Sequence, residues 1–191
     1  LGDRQLTAQT RALAAAIGAD PRDRYLSVLP LSQLLEQICG IFVPVLTGAE
    51  TVILAEGTAC LFTGDGTALA RAAAACRPTV TVLAPRQLTL WVAALRQGAQ
   101  APDSLRYIAV GGAPVSPALL AEARALGLPV AEGYGLSEAS SVVAMTPAGG
   151  TAMQPLEGVD LRIEDGEIVV DGPAVMSGYL GHAPHRGPWR T

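Results

Sequence analysis

The chain has 191 residues, 50% of them apolar and 16% charged, with a formal net charge of −4. That much apolar side chain offsets ordering entropy and excludes global disorder. The acidic balance argues against a nucleic-acid partner. All thirteen positive charges are Arg, with no Lys anywhere, so Schiff bases, a phosphate-loop lysine and a lysine general base are excluded within this chain.

In chain order, Leu6, Leu13 and Ile17 share one helical face, with Asp3 as the expected N-cap. Tyr25 to Leu29 reads as a strand stopped by Pro30, and Ser32 opens a helix carrying Glu36. Thr51 to Leu54 is β-branched and apolar, hence a strand; Thr67 to Cys76 is alanine-rich, hence a helix. Thr79 to Leu83 predicts a strand, Gln87 to Gln97 a helix, and Tyr107 to Val110 a strand ending at Gly111-Gly112. Pro117 to Leu126 predicts a helix with Ser116 as N-cap and Gly127 closing it; Val130 begins a further strand. This alternation predicts an α/β fold, a mainly parallel sheet with helices on both faces, over residues 1–147. After Ala148-Gly149-Gly150 the rhythm changes. Two short strands, Asp160 to Ile163 and Glu167 to Val170, form a hairpin in a small β-rich segment, 148–191.

Cys39, Cys60 and Cys76 lack disulfide or zinc spacing and read as reduced thiols in a cytoplasmic protein. The longest apolar run, Ile38 to Leu46, is too short for a membrane span and is interrupted by Pro44. Leu1 rather than Met opens the chain, which reads as a trimmed front or a piece of something longer.

Four stretches could carry chemistry. Gly111-Gly112-Ala113-Pro114 follows a strand, where ligands sit in open parallel sheets and where glycines let a flat ligand approach the backbone. Glu132-Gly133-Tyr134-Gly135-Leu136-Ser137-Glu138 also follows a strand. Its ring offers a stacking face, Ser137 a hydroxyl for a phosphate oxygen, and Glu138 a carboxylate for Mg²⁺. Either stretch also reads as an ordinary turn. Gly64-Asp65-Gly66-Thr67 imitates a dinucleotide fingerprint, but Leu69 replaces the third glycine and no acid follows before Asp103, so it reads as a turn. Gly135-Leu136-Ser137-Glu138-Ala139 imitates a nucleophile elbow, with Ser137 as nucleophile and His182 or His185 downstream, but Ala139 replaces its last glycine.

Taken together, longer phrases resemble the adenylate-forming (AMP-binding) superfamily, and most closely its fatty acyl-CoA ligases. Tyr25 to Gln37 is similar to a segment ending Leu-Pro-Leu-Ser-His-x-x-Glu, with Gln33 in the His place. Arg77-Pro78-Thr79 with Ala84-Pro85-Arg86 looks like a second segment. Gly111 to Pro114 matches the adenine-side loop, and Gly133 to Glu138 matches the signature written Gly-Tyr-Gly-x-Thr-Glu. Gly166-Glu167-Ile168 with the later Gly172-Pro173 and Gly178-Tyr179 matches a fifth. The resemblance implies part of the N-terminal domain of an adenylate-forming enzyme. It implies two-step acyl activation: a carboxylic acid and ATP give acyl-adenylate and pyrophosphate, then CoA takes the acyl group.

By position, Gly111, Gly112, Ala113, Tyr134 and Gly135 would line the adenine and acyl pocket. Ser137 would contact a phosphate, Glu138 would ligate Mg²⁺, and Gln33 would keep a hydrogen-bonding but non-titratable group. The superfamily's phosphate loop, its ribose-binding Asp beyond Trp189-Arg190-Thr191 and its catalytic Lys are absent from these residues, so the chain alone is expected to be inactive and to self-associate through exposed apolar surface. The alternative is a degenerate domain that binds adenine nucleotides or only a partner chain.

Overall fold

The protein's structure is a computed structural model, and it describes residues 1–191 apart from the side chain of Glu56. A seven-stranded sheet forms its centre, in the order β2-β1-β3-β4-β5-β6-β7. Strands β1 (Arg24–Ser27), β2 (Glu50–Ile53), β3 (Val80–Leu83), β4 (Tyr107–Val110) and β5 (Val130–Tyr134) run parallel. The short β6 (Ala144–Met145) and β7 (Gln154–Pro155) add antiparallel, so the first sheet extends past Pro147. A second sheet of three antiparallel strands has β9 (Glu167–Asp171) between β8 (Asp160–Glu164) and β10 (Trp189–Arg190).

Helices cover both faces of the large sheet. On one face lie α4 (Ala55–Thr63), α5 (Gly66–Cys76), α6 (Pro85–Arg96) and α7 (Pro117–Ala125). Leu88, Trp91, Val92 and Leu95 of α6 recur at helical spacing and are buried against Leu26, Leu83 and Ile108. On the other face, α1 (Asp3–Ala16) packs with the run α2 (Leu34–Gln37), a π-helical turn at Ile38–Phe42, and α3 (Val43–Thr47). Both strand faces are thus buried, which is why β3 is apolar or β-branched, and buried, at every position.

Several ends follow the sequence chemistry. Ser116 Oγ accepts from the Leu119 N–H at 3.2 Å, capping α7 ahead of Pro117. Asp65 caps α5 through the Thr67 and Ala68 N–H groups, so the Gly64-Asp65-Gly66 stretch is a helix start. A Cβ at Gly66 would lie 2.1 Å from the Leu90 carbonyl oxygen, which explains that glycine by close helix packing. Asp3 is the first helical residue rather than the cap, which is Gly2, and the second helix starts at Leu34 rather than near Ser32. The three cysteines are free thiols. Among the described residues no helix is long and apolar enough to cross a membrane.

Candidate functional site

A cavity of about 390 Å³ opens at the carboxyl ends of β4 and β5 and runs along the α1 face of the sheet. Gln33, Gly111, Gly112, Tyr134, Gly135 and Ser137 all line it. The parallel strands bring their carboxyl-end loops to one rim, which is how segments far apart in sequence meet. Ala113 is exposed on its loop, outside the cavity wall, and Glu138 lies just past the wall residue Ser137.

The double-glycine bend is open by construction. Gly112 adopts φ +84°, a conformation that L side chains rarely take, and a Cβ at Gly111 would lie 3.2 Å from the Gly133 carbonyl oxygen. Tyr134 is half-buried at the end of β5 and lines the cavity. Gly135 is required by contact: a Cβ there would sit 1.5 Å from the Ser141 carbonyl oxygen. The loop then turns through Ser140 and Ser141, both at positive φ. These two serines carry no glycine signal, and sequence reading missed them. Gln33 stands at the start of α2 with no side-chain capping bond, leaving its amide for the cavity.

The segment between β9 and β10 clamps this loop. The Met176 N–H donates to the Glu138 carbonyl at 2.7 Å, and the buried Ser140 hydroxyl donates to the Ala174 carbonyl at 2.6 Å. The Tyr179 hydroxyl donates to Glu138 Oε1, and that carboxylate holds the phenol above its ordinary range. Tyr179 packs edge-on against Trp189 and His182, and His185 against Trp189. Among the described residues neither histidine bonds to Ser137, so no catalytic triad forms around that hydroxyl. No group of three metal-ligating side chains occurs among them either.

Below the rim the wall is apolar. Its titratable groups there are Tyr25, Cys39 and Tyr107. Burial raises all three, Cys39 to about 12. The Tyr25 hydroxyl donates to Glu36 Oε2 at 3.0 Å, and the Tyr107 hydroxyl to the Thr146 carbonyl at 2.5 Å. Glu36 is fully buried, its Oε1 has no partner, and burial pushes its carboxyl up to about 7. Sequence reading placed Glu36 in a helix and missed its support of the cavity wall; a Glu among apolar neighbours was the available signal.

A glycine-lined rim, a half-buried aromatic ring and an apolar interior form a cavity at the carboxyl edge of a parallel sheet, where open α/β sheets take their ligands. Residues 2–180 match the AMP-binding enzyme family, and the chain belongs to it. The 2-succinylbenzoate–CoA ligase of Bacillus velezensis is 32% identical over 182 residues, covering 87% of this chain and 35% of the relative. The o-succinylbenzoate coenzyme A synthetase of Bacillus subtilis, solved with ATP and magnesium ion, superimposes with a TM-score of 0.80 at 24% identity, over 99% of this chain and 42% of that one. A long-chain-fatty-acid–CoA ligase from Archaeoglobus fulgidus gives 0.78 at 23% identity, over 93% and 40%. The two structural matches establish the fold. The chain spans about a third of the length of the Bacillus velezensis relative.

Proposed function

We propose that this chain carries the adenine-nucleotide and acyl-binding part of an acyl-CoA ligase that works through an acyl-adenylate. The observation that carries the reading is the meeting of Gly111-Gly112, Tyr134, Ser137 and Gln33 on one cavity. In this reading adenine stacks on the half-buried Tyr134 ring, with the glycine bend giving close backbone approach. Ser137 donates to a phosphate oxygen, and Gln33 orients the substrate carboxylate.

The carboxylate oxygen attacks the α-phosphorus of ATP; the bond to the β-phosphate oxygen breaks and pyrophosphate leaves. The thiolate of CoA then attacks the acyl carbon and AMP leaves. Glu138 would hold Mg²⁺, because that ion binds through one or two carboxylates. Bound there, Mg²⁺ would supply positive charge to the phosphates. The name of the Bacillus velezensis relative supports CoA as the acceptor.

The absence of lysine favours a second reading, a domain that binds adenine nucleotides without turning them over. Both are tested together. Calorimetry with AMP should show binding that Tyr134→Ala weakens roughly 5- to 150-fold, the worth of one stacked base, while Tyr134→Phe retains it. No binding by the parent chain, or equal binding by the Ala variant, would refute the adenine site. Pyrophosphate release on adding acid, ATP and Mg²⁺ separates the ligase part from the binding domain. We expect none from this chain alone, which brings no cation to the cavity wall among the described residues.

A further inference from the structure

Glu138 is gripped at two points by one short stretch of chain. The Met176 N–H donates to its main-chain carbonyl at 2.7 Å, and the Tyr179 hydroxyl donates to its Oε1. Backbone and carboxylate are therefore held from the same segment. Among the described residues, Oε2 accepts no hydrogen bond and the carboxylate forms no ion pair. A phenol is a neutral donor: it fixes one oxygen without cancelling the negative charge, as a guanidinium would.

The arm that delivers this hydroxyl is built without help from Glu138. Gly178 adopts φ +128°, and a Cβ there would lie 3.0 Å from the His185 nitrogen and 3.2 Å from the Ala183 carbonyl oxygen, so the chain turns tightly just before Tyr179. The His185 N–H closes onto the Ser177 carbonyl at 2.8 Å, and the His182 N–H onto the Tyr179 carbonyl at 3.1 Å. From α1, the Gln5 amide donates to Ser177 Oγ at 3.1 Å. The Tyr179 ring stands edge-on to Trp189 of β10 at 6.0 Å and to His182 at 6.2 Å. None of these contacts involves the carboxylate.

Carboxylates that ligate metal ions are themselves hydrogen-bonded by an outer group, and loss of that group typically weakens metal binding about 10- to 100-fold. We propose that Tyr179 is the positioning residue of Glu138: its hydroxyl fixes Oε1 and leaves Oε2 to ligate the cation that accompanies the nucleotide phosphates. The inference rests on the adenine-nucleotide reading above and adds a residue that acts only through Glu138.

The test reads metal affinity rather than turnover. Mn²⁺ shares the preference of Mg²⁺ for oxygen ligands. It is titrated into the AMP-saturated chain while water-proton relaxation reports the bound ion, and AMP affinity itself is measured by calorimetry in EDTA. Tyr179→Phe keeps the ring and removes only the hydroxyl. It should weaken Mn²⁺ binding about 10- to 100-fold and leave AMP affinity in EDTA unchanged. Glu138→Gln should weaken Mn²⁺ at least as far; parent-like Mn²⁺ binding by that variant overturns the inference. Equal or tighter Mn²⁺ binding by the Phe variant also overturns it, the tighter case making the hydroxyl a competitor of the ion. So does a parallel weakening of AMP and Mn²⁺, since the hydroxyl would then shape the whole loop. A parent chain that binds AMP but no Mn²⁺ removes the ion site and the role of Tyr179 with it, while the adenine site stands. If AMP fails to bind the parent chain, the adenine reading falls and takes this inference with it.

Discussion

Replacing Glu36 by Gln should remove most of one pH dependence of folding. In the native chain this carboxyl is fully buried, accepts the Tyr25 hydroxyl at 3.0 Å, and has an unpartnered Oε1. Ser27, also buried with an unpartnered hydroxyl, and Cys39 are its other polar neighbours. Burial moves its titration from 4.5 up to about 7. A carboxyl raised on folding is bound to its proton more tightly in the native state, so its contribution is intact below the unfolded value and is lost as pH rises toward the folded value. The displacement corresponds to about 3 kcal/mol lost between roughly pH 4.5 and pH 8, with no further loss above. Gln keeps an acceptor for Tyr25 and cannot ionise. Urea unfolding of both proteins at the two pH values isolates the effect, since all other titrations cancel in their difference. The variant should gain about 3 kcal/mol on the parent between the acid and the alkaline measurement. A difference constant with pH would refute the argument that Glu36 is desolvated in the folded chain.

Three further outcomes follow from the geometry. Gly135→Ala places a methyl group where the Ser141 carbonyl stands, so it should destabilise the fold by more than about 3 kcal/mol in urea titrations; an unchanged midpoint would show that the loop moves freely. Arg106→Ala leaves the buried Asp23 carboxylate with the Thr79 hydroxyl and the Asp20 N–H, and frees two carbonyls after α1. The same titration should record a loss of about 2–3 kcal/mol, less than for a fully buried pair because Arg106 is one-third exposed. Val45, Ile53 and Phe62 are large and exposed, Val45 and Phe62 at 79% and 78%. Light scattering should therefore report a mass that rises with concentration, and Val45→Ser with Phe62→Ser should lower it; a monomer at all concentrations would count against this.

Much of the large sheet is legible because its strands are short β-branched or apolar runs cut by prolines. Thr79 to Leu83 lies between Pro78 and Pro85, and Tyr107 to Val110 stops at two glycines. Helix α7 declares itself through Ser116 and Pro117. Helix α4 does not, because Gly57 weakens its helical signal; tertiary packing supplies the reason, since a Cβ there would lie 2.5 Å from Val28 Cγ1. The π-helical turn at Ile38–Phe42 has no local signature either. Its tightest contact is long-range: a Cβ on Gly40 would meet the Tyr25 ring at 2.8 Å. Strands of two residues, β6, β7 and β10, carry too few positions for any periodicity. The rim was legible as glycines and an aromatic after strands. The inner wall was not, because Leu13, Tyr25, Val80, Tyr107 and Met145 are ordinary core residues in sequence and become a cavity only through tertiary packing.

The bonds from Met176, Ser140 and Tyr179 join the hairpin region to the loop that bears Glu138. A loop alone is floppy, and its stiffness here is borrowed from chain almost forty residues downstream. The anchorage of Glu138 is therefore tertiary rather than local, held by backbone and side-chain bonds from the segment after β9.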